Sequence, residues 1–222
     1  CSKCRDMTFI VVGDVAVPCE CRDIRIAEDI LKQSGISKEF RKKTFDNFNY
    51  SYDIQVIDAY SKATRYYSDF SNIRDTRRNS FLALGQVGSG KTHLSLAIAN
   101  KLMDDGIGVV YMGYRDVIMR FKQNVMNEEE YNKLMNRYKR AKVLLIDDLF
   151  KGSISGSDVN IMFEIINYRY LNGLPVIVSC EKGVEEIMSV DEAIGSRIYE
   201  MCCGYMVSLC GRRLNYRVYG RS

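Results

Sequence analysis

Gly85-Gln86-Val87-Gly88-Ser89-Gly90-Lys91-Thr92 is the stretch whose residue types and spacing speak most directly of chemistry. It fits the pattern G-x-x-x-x-G-K-[ST]. In that pattern glycines let the backbone wrap so tightly that successive N–H groups converge on phosphate oxygens. The helix that the loop opens, from His93 onward, adds the positive end of its dipole. Lys91 is expected to reach the β- and γ-phosphates, and the Thr92 hydroxyl to ligate Mg²⁺. Gly85, Val87, Gly88, Ser89, Gly90 and His93 complete the expected cradle, and ATP or ADP is the ligand it implies.

Two carboxylates follow in the right kind of place. Val143-Leu144-Leu145-Ile146-Asp147-Asp148 reads as a buried strand with acids at its carboxyl end, where open α/β sheets bind ligands. Asp147 is expected to hold Mg²⁺ through water, since a carboxylate after an apolar run needs a cation or strong donors. Asp148 is expected to orient the attacking water, with a turn or N-cap role as the alternative. At the next strand end, Ser179 and Glu181 are candidates for sensing the γ-phosphate. A glutamate is a poor direct phosphate contact and would act through water or a neighbouring arginine; a solvated strand end is the plainer reading. Arg197, on a predicted helix after Gly195-Ser196, is a candidate arginine finger for a neighbouring subunit's site, against the plain reading of a surface arginine. Arg212, Arg213, Arg217 and Arg221 lie in a tail with no acid after Glu200. One of them can touch phosphate, and the rest nucleic acid or an acidic partner.

The eight cysteines are unevenly spread: Cys1, Cys4, Cys19 and Cys21 come early, then Cys180, Cys202, Cys203 and Cys210. A secreted disulfide scaffold would be shorter and denser in cysteine, so the thiols read as reduced. The first four, spaced C-x2-C-x14-C-x-C, read as Zn²⁺ ligands on a segment too short to bury a core. Ordinary thiols and an iron–sulfur cluster are the alternatives. His93 is the single histidine, which excludes a multi-histidine metal site. Lys and Arg total 32 against 28 Asp and Glu, a net charge of +4, which excludes a wholesale polybasic binder but permits a local basic patch. No apolar run approaches the roughly 20 residues of a membrane span, and no leader pattern opens the chain. The expected location is the cytoplasm. The chain starts at Cys1 without an initiator Met, so residues before it are expected.

The elements that must position these groups can be read from periodicity. Residues 1–21 suggest a hairpin, with apolar runs at 7–12 and 15–17 around Gly13-Asp14. Residues 22–79 read as a helical linker, in which Ile54, Ile57, Tyr60, Ala63 and Tyr67 recur at helical spacing. From residue 80 to 222, apolar runs at 81–84, 108–112, 143–146, 175–178 and 205–209 alternate with helical stretches. This is the pattern of a parallel five-stranded sheet covered on both faces. Asp105-Gly106 and Asn172-Gly173 read as helix ends, and Ser189 with Glu192 as a capping box for the helix through Arg197. Residues 114–142 interleave Tyr114, Arg115, Arg120, Phe121, Lys122, Arg137, Tyr138, Lys139, Arg140 and Lys142, which suits single-stranded DNA. Ile118, Phe121 and Val125 also have core spacing, and Glu128-Glu129-Glu130 interrupts the positive run, so an amphipathic surface helix pair is the alternative.

Taken together, these residues resemble the DnaC/DnaI helicase loaders within the AAA+ ATPases, the phage and prophage members most closely. The resemblance covers nearly the whole chain. It rests on Pro18-Cys19-Glu20-Cys21, Thr44-Phe45-Asp46-Asn47-Phe48, Gly88-Ser89-Gly90-Lys91-Thr92-His93-Leu94 and Leu145-Ile146-Asp147-Asp148-Leu149. It rests equally on Ile165-Ile166-Asn167-Tyr168-Arg169-Tyr170, Leu174-Pro175-Val176-Ile177-Val178-Ser179, Ala193-Ile194-Gly195-Ser196-Arg197 and Tyr216-Arg217. The resemblance implies a three-layer AAA+ fold with the helical lid reduced or absent, preceded by a zinc knuckle. It implies Lys91, Thr92, Asp147 and Asp148 as nucleotide and Mg²⁺ residues, Arg197 as the trans finger and Arg217 as a second sensor. It assigns 114–126 to subunit packing and single-stranded DNA, and a hexameric replicative helicase and further copies of the chain as partners, with no membrane. Glu181 departs from the family's usual Asn. An IstB-like transposition ATPase and a nucleotide-gated adaptor without turnover are the rival expectations.

Overall fold

A computed structural model describes residues 1–34, 38 and 41–220. The amino-terminal residues form a two-stranded antiparallel hairpin, β1 (Phe9–Val12) and β2 (Val15–Pro18), with Val12 opposite Val15. Gly13 takes the turn at φ +63, a conformation a side chain would oppose. Helix α1 (Cys21–Ser34) follows, then α2 (Ile54–Ile73). Asp53 caps α2, its carboxylate accepting from the Gln55 N–H at 2.8 Å.

The expected helix is present, and its buried face overlaps the expected one only in part: Ala63 is buried and Tyr60 and Tyr67 pack against the core. Ile54 and Ile57 point to solvent, while Val56, Ala59, Ala63, Tyr66 and Phe70 are buried. Both sets fit a 3.6-residue period. The second carries two alanines, which let the helix backbone approach the sheet closely, and two aromatic rings that fill the space beyond them. The Tyr66 hydroxyl, fully buried, donates to the Asn79 carbonyl at 2.8 Å.

The remaining chain alternates as expected: β3 (Phe81–Gly85), α3 (Lys91–Asp104), β4 (Val109–Gly113), α4 (Tyr114–Gln123), α5 (Glu128–Arg140), β5 (Val143–Leu149), α6 (Gly156–Leu171), β6 (Val176–Cys180), α7 (Val184–Val190), α8 (Glu192–Cys202), β7 (Met206–Leu209) and a short α9 (Tyr216–Tyr219). The sheet runs β4-β5-β6-β3-β7, all parallel, so β6 stands between the strand that leads into the glycine loop and the strand that ends in Asp147. Alternate residues enter different layers. Leu82, Leu144, Ile146 and Val178 pack under α4 to α8, while Phe81, Ala83, Leu145 and Ile177 pack under α2 and α3. Among the described residues, no helix is long and apolar enough to cross a membrane.

Asp105 and Asn172 end their helices as expected, with Gly106 and Gly173 at φ +84 and +63. The expected cap at Ser189 is overturned. Asp191 caps α8 by accepting from the Ile194 N–H at 2.8 Å, and the Ser189 hydroxyl turns back to the Glu185 carbonyl within α7. An acid immediately before the helix reaches the free N–H groups, whereas Ser189 is still inside the preceding helix. Val125, expected in the core, is exposed because α4 ends at Gln123.

Helix α1 leans on the sheet's edge beside Gly108, where a Cβ would come within 2.7 Å of the Asp23 side chain. Asp23 also pairs with Lys142 at 2.8 Å, so the cysteine-bearing segment is seated on the β4 side of the molecule.

The largest fully buried side chain is Arg169. Its guanidinium donates to the carbonyls of Tyr138, Lys139, Ala141 and Pro175 at 2.6 to 3.1 Å, pinning the end of α5 and the start of β6 to α6. Burial pushes its pKa down to about 9, and it is held without a carboxylate by carbonyl dipoles. Arg169→Met keeps the bulk and strands those four carbonyls. The expected loss of stability is about 3 kcal/mol or more, read as a lower midpoint in urea unfolding.

Candidate nucleotide-binding site

The loop between β3 and α3 is shaped by close approaches. Gly85 has φ +128, and a Cβ there would strike the Leu209 carbonyl oxygen of β7 at 2.2 Å. Gly90, at φ +93, opens α3, and a Cβ there would reach the Phe48 ring at 2.8 Å. Ser89 Oγ donates to the Gln86 carbonyl at 2.8 Å and closes the loop on itself. Lys91 Nζ also donates to that carbonyl, at 2.7 Å, so the ammonium lies folded across the cradle. Burial depresses the Lys91 pKa, and the Glu181 and Asp148 carboxylates oppose the shift.

Asp147 is the hub beside this loop. Its carboxylate accepts from Thr92 Oγ1 at 2.9 Å, from Ser179 Oγ at 2.5 Å and from Tyr111 OH at 3.0 Å. Three strand tips and the first turn of α3 therefore converge on one buried acid. Burial raises its pKa above the ordinary carboxylate range, and the Ser179 hydroxyl pulls it back. Thr92 and Asp147 stand hydrogen-bond distance apart, a hydroxyl and a carboxylate that fit an octahedral Mg²⁺ sharing one directly and one through water. Tyr111 carries no motif in the sequence; its signal is only its register, two residues before Gly113, the β4 partner of Asp147.

After Asp147 the β5–β6 register slips, and Asp148 takes φ +58, with Phe150 at φ +57. The Asp148 N–H donates to Ser179 Oγ at 2.9 Å. Ser179 is fully buried behind the strand tips, where it ties Asp147 and Asp148 together. Asp148 lines the cleft and is both turn residue and half-buried acid. Its partner is Lys151, whose Nζ lies 2.8 Å from Asp148 Oδ2 and 2.7 Å from Glu181 Oε1. The cation expected beside Glu181 is thus this lysine and not an arginine.

The cleft in front of the loop measures about 290 Å³. Its far wall comes from a stretch read in the sequence as linker. His93 Nε2 lies 2.8 Å from the Thr44 carbonyl and 3.0 Å from Asn47 Oδ1, and its ring meets Phe48 edge-on at 5.0 Å. His93 therefore anchors residues 44–48 over the loop, and burial depresses its pKa. Asn47, Phe48 and Tyr52 face Tyr216 and Arg217 across the opening. The Tyr216 N–H donates to the Gly88 carbonyl at 3.0 Å, holding the tail of the chain to the loop. Arg217 lines this cleft with an exposed side chain. Arg221 lies outside the described residues.

Arg197 sits apart from the cleft. Its guanidinium lies between the Phe163 and Tyr170 rings, at 5.5 and 5.4 Å, and donates to the Ala193 carbonyl. In the 114–142 region, Tyr114, Phe121 and Tyr138 are core residues, so the rings expected as stacking platforms are spent on packing. Lys122 and Lys139 pair with Asp158 and Glu164, while Arg115 and Arg120 remain exposed.

The Sγ atoms of Cys1, Cys4, Cys19 and Cys21 all lie within 4.8 Å of one another, with Cys1–Cys19 at 3.9 Å and Cys4–Cys21 at 3.5 Å. Four thiolates around one tetrahedral Zn²⁺, each bond near 2.3 Å, stand about 3.8 Å apart. The set fits one ion; an iron–sulfur cluster puts several irons between the sulfurs and spreads them further.

A family model, the bacterial DnaA ATPase domain, matches residues 40–203. Phage-like element PBSX protein XkdC of Bacillus subtilis (strain 168) is 38% identical over 233 residues, covering 99% of this chain and 86% of that protein. Replicative helicase loader DnaC of Escherichia coli (strain K12) is 26% identical over 169 residues, covering 76% of this chain and 66% of that protein. The crystal structure of DnaI superposes with a TM-score of 0.66 at 20% identity, covering 78% of this chain and 93% of that one, a likeness of fold.

The raised pKa of Asp147 has a stability consequence. A carboxylate raised in the folded state favours folding below its ordinary pKa and opposes it once pH rises through the raised value. At neutral pH the ionised acid therefore costs stability. Asp147→Asn is expected to melt no lower than the parent without nucleotide, and up to about 2–4 °C higher per kcal/mol recovered. In the same variant, the rise in melting temperature on adding Mg²⁺ and ATP is expected to vanish. Thermal melts with and without ligand check both.

Proposed function

Because the chain belongs to the bacterial DnaA ATPase-domain family, we propose that it binds ATP with Mg²⁺ in the cleft before Lys91, hydrolyses it, and uses the cycle to load a replicative DNA helicase. The observation that carries the nucleotide reading is the meeting of Thr92 and Asp147 at 2.9 Å beside the glycine loop. The helicase reading is supported by the relationship to the E. coli helicase loader across three-quarters of the chain.

The residues divide the work. The loop N–H groups of 85–92 and Lys91 hold the phosphates. Thr92 directly, and Asp147 through water, would hold Mg²⁺, which would supply positive charge to the phosphate oxygens. Asp148, on the wall of the cleft, orients the attacking water. Arg217 reaches the nucleotide from the tail, and Asn47, Phe48 and Tyr52 border the base. Arg197 completes a neighbouring copy's site. Its position outside its own cleft is what a residue acting in trans requires, and ATP then bridges copies into an oligomer. Arg115 and Arg120 contact single-stranded DNA through its phosphates, since the rings nearby are buried. The four amino-terminal thiolates bind Zn²⁺, and the cytoplasm is where this work is done. A second reading, a nucleotide-gated adaptor with little turnover, draws support from the Lys151 ammonium on Asp148.

Lys91→Ala is expected to abolish nucleotide binding by calorimetry. Arg197→Ala is expected to keep binding close to that of the parent and lose at least about tenfold in turnover. Unchanged turnover in Arg197→Ala would remove the finger assignment, and binding without turnover in the parent, with or without single-stranded DNA, would leave the adaptor. Metal analysis of the purified chain is expected to find about one Zn²⁺ per chain, and Cys1→Ser with Cys4→Ser to lose it; metal-free parent protein would remove the zinc assignment.

A further inference from the structure

Glu181 poses a physical problem if the cleft holds a triphosphate. It lies just beyond the tip of β6, lines the same cleft as the glycine loop, and carries a negative charge where the γ-phosphate would come. Asp148 adds a second carboxylate on the same wall. Lys151 bridges both at 2.7 and 2.8 Å and itself lines the cleft. Lys91, the cation supplied by the loop, is turned onto the Gln86 carbonyl.

The delivery of Lys151 is built in some detail. The end of β5 and the turn that follows it hold two non-glycine residues at positive φ, Asp148 and Phe150, and the turn closes with the Lys151 N–H donating to the Asp148 carbonyl at 3.1 Å. Residues in this conformation cost energy and persist where the surroundings fix them. Here the surroundings do so. Phe150 is buried against Tyr114, the Asp148 N–H is bonded to Ser179, and the Leu149 carbonyl accepts from Cys180 Sγ at 3.1 Å. Ser179 and Cys180 belong to β6, the strand that leads directly into Glu181. One rigid unit therefore holds the lysine and both of its carboxylates at the mouth of the phosphate site.

Building on the ATP reading above, we propose that Lys151 reads the third phosphate: with ATP bound, its ammonium exchanges Asp148 for a γ-phosphate oxygen, while Glu181 keeps its own bond to that ammonium, holds it in reach and does not itself touch phosphate. With ADP bound, no third phosphate competes and the lysine stays on Asp148. The exchange releases the Asp148 carboxylate only when a hydrolysable nucleotide is present. Glu181 is then a positioning residue, and the Lys151–Glu181 pair does the work that a neutral polar side chain at position 181 would do alone.

The test is equilibrium titration of the full chain with Mg²⁺ and either ADP or a non-hydrolysable ATP analogue. Lys151→Met is expected to keep ADP affinity within about threefold and to lose about tenfold or more of the preference for the analogue, the scale of a charge-assisted hydrogen bond. Lys151→Arg is expected to keep the preference within about threefold. Lys151→Gln gives the same reading should the methionine variant fail to fold. An unchanged preference in the Met or Gln variant, or equal weakening of both nucleotides, overturns the proposal and leaves the ATP reading in place. A parent chain that binds neither nucleotide overturns both.

Discussion

Burying a carboxylate without a permanent counter-charge sets the terms for this molecule. Asp147 lies at the tip of a central strand, 8% exposed, and an ionised acid there is tolerable only if hydroxyl donors surround it. The donors come from β4, β6 and the first turn of α3, elements far apart in sequence. Strand order follows as a requirement. β5 must have β4 on one side to bring Tyr111, and β6 on the other to bring Ser179, with the glycine loop close enough beyond to turn Thr92 inward. A sheet in which β3 paired directly with β5 would leave no place for Ser179, and with it would go the tie between Asp147 and the backbone of Asp148.

Much of that was legible in the residues. The loop announces itself because few sequences satisfy its backbone demands, and the strands because two-sided burial needs unbroken apolar runs. What was not legible has physical causes as well. Lys151 sits in a turn whose shape depends on two positive-φ residues that are not glycine, and no spacing rule points to a lysine three places beyond an acid. The 44–48 wall depends on the His93 ring reaching back across the loop and on Phe45 and Phe48 packing against Tyr60, contacts between segments far apart in the chain. Helix α2 offered two apolar stripes of the same period, and only the sheet beneath decides between a stripe with isoleucines and one with alanines. Basic and aromatic residues between 114 and 142 alternate in the chain, but the helix separates them, rings inward and most charges outward. Arg169 resembles any surface arginine until four carbonyls are found around it.

The amino-terminal hairpin obeys a different economy. Phe9, Val11, Val12 and Val15 stay exposed because two strands have no second layer to cover them. The four gathered thiols stand in for the missing core, and α1 carries the hairpin to the body through Asp23, at a spot where only glycine lets the helix come close.

Helix α2 deserves its place in any plan to make the protein in pieces. Its Tyr66 ring packs on Phe81 and Tyr205, and its alanines lie over the same layer as Val207 and Leu209. A shortened gene opening at Ser80 would encode the whole glycine loop and Asp147 yet lay that greasy flank open to water, so such a product would be expected to clump in the test tube, whereas one opening ahead of Thr44 would keep both the roof over the sheet and the wall over the loop.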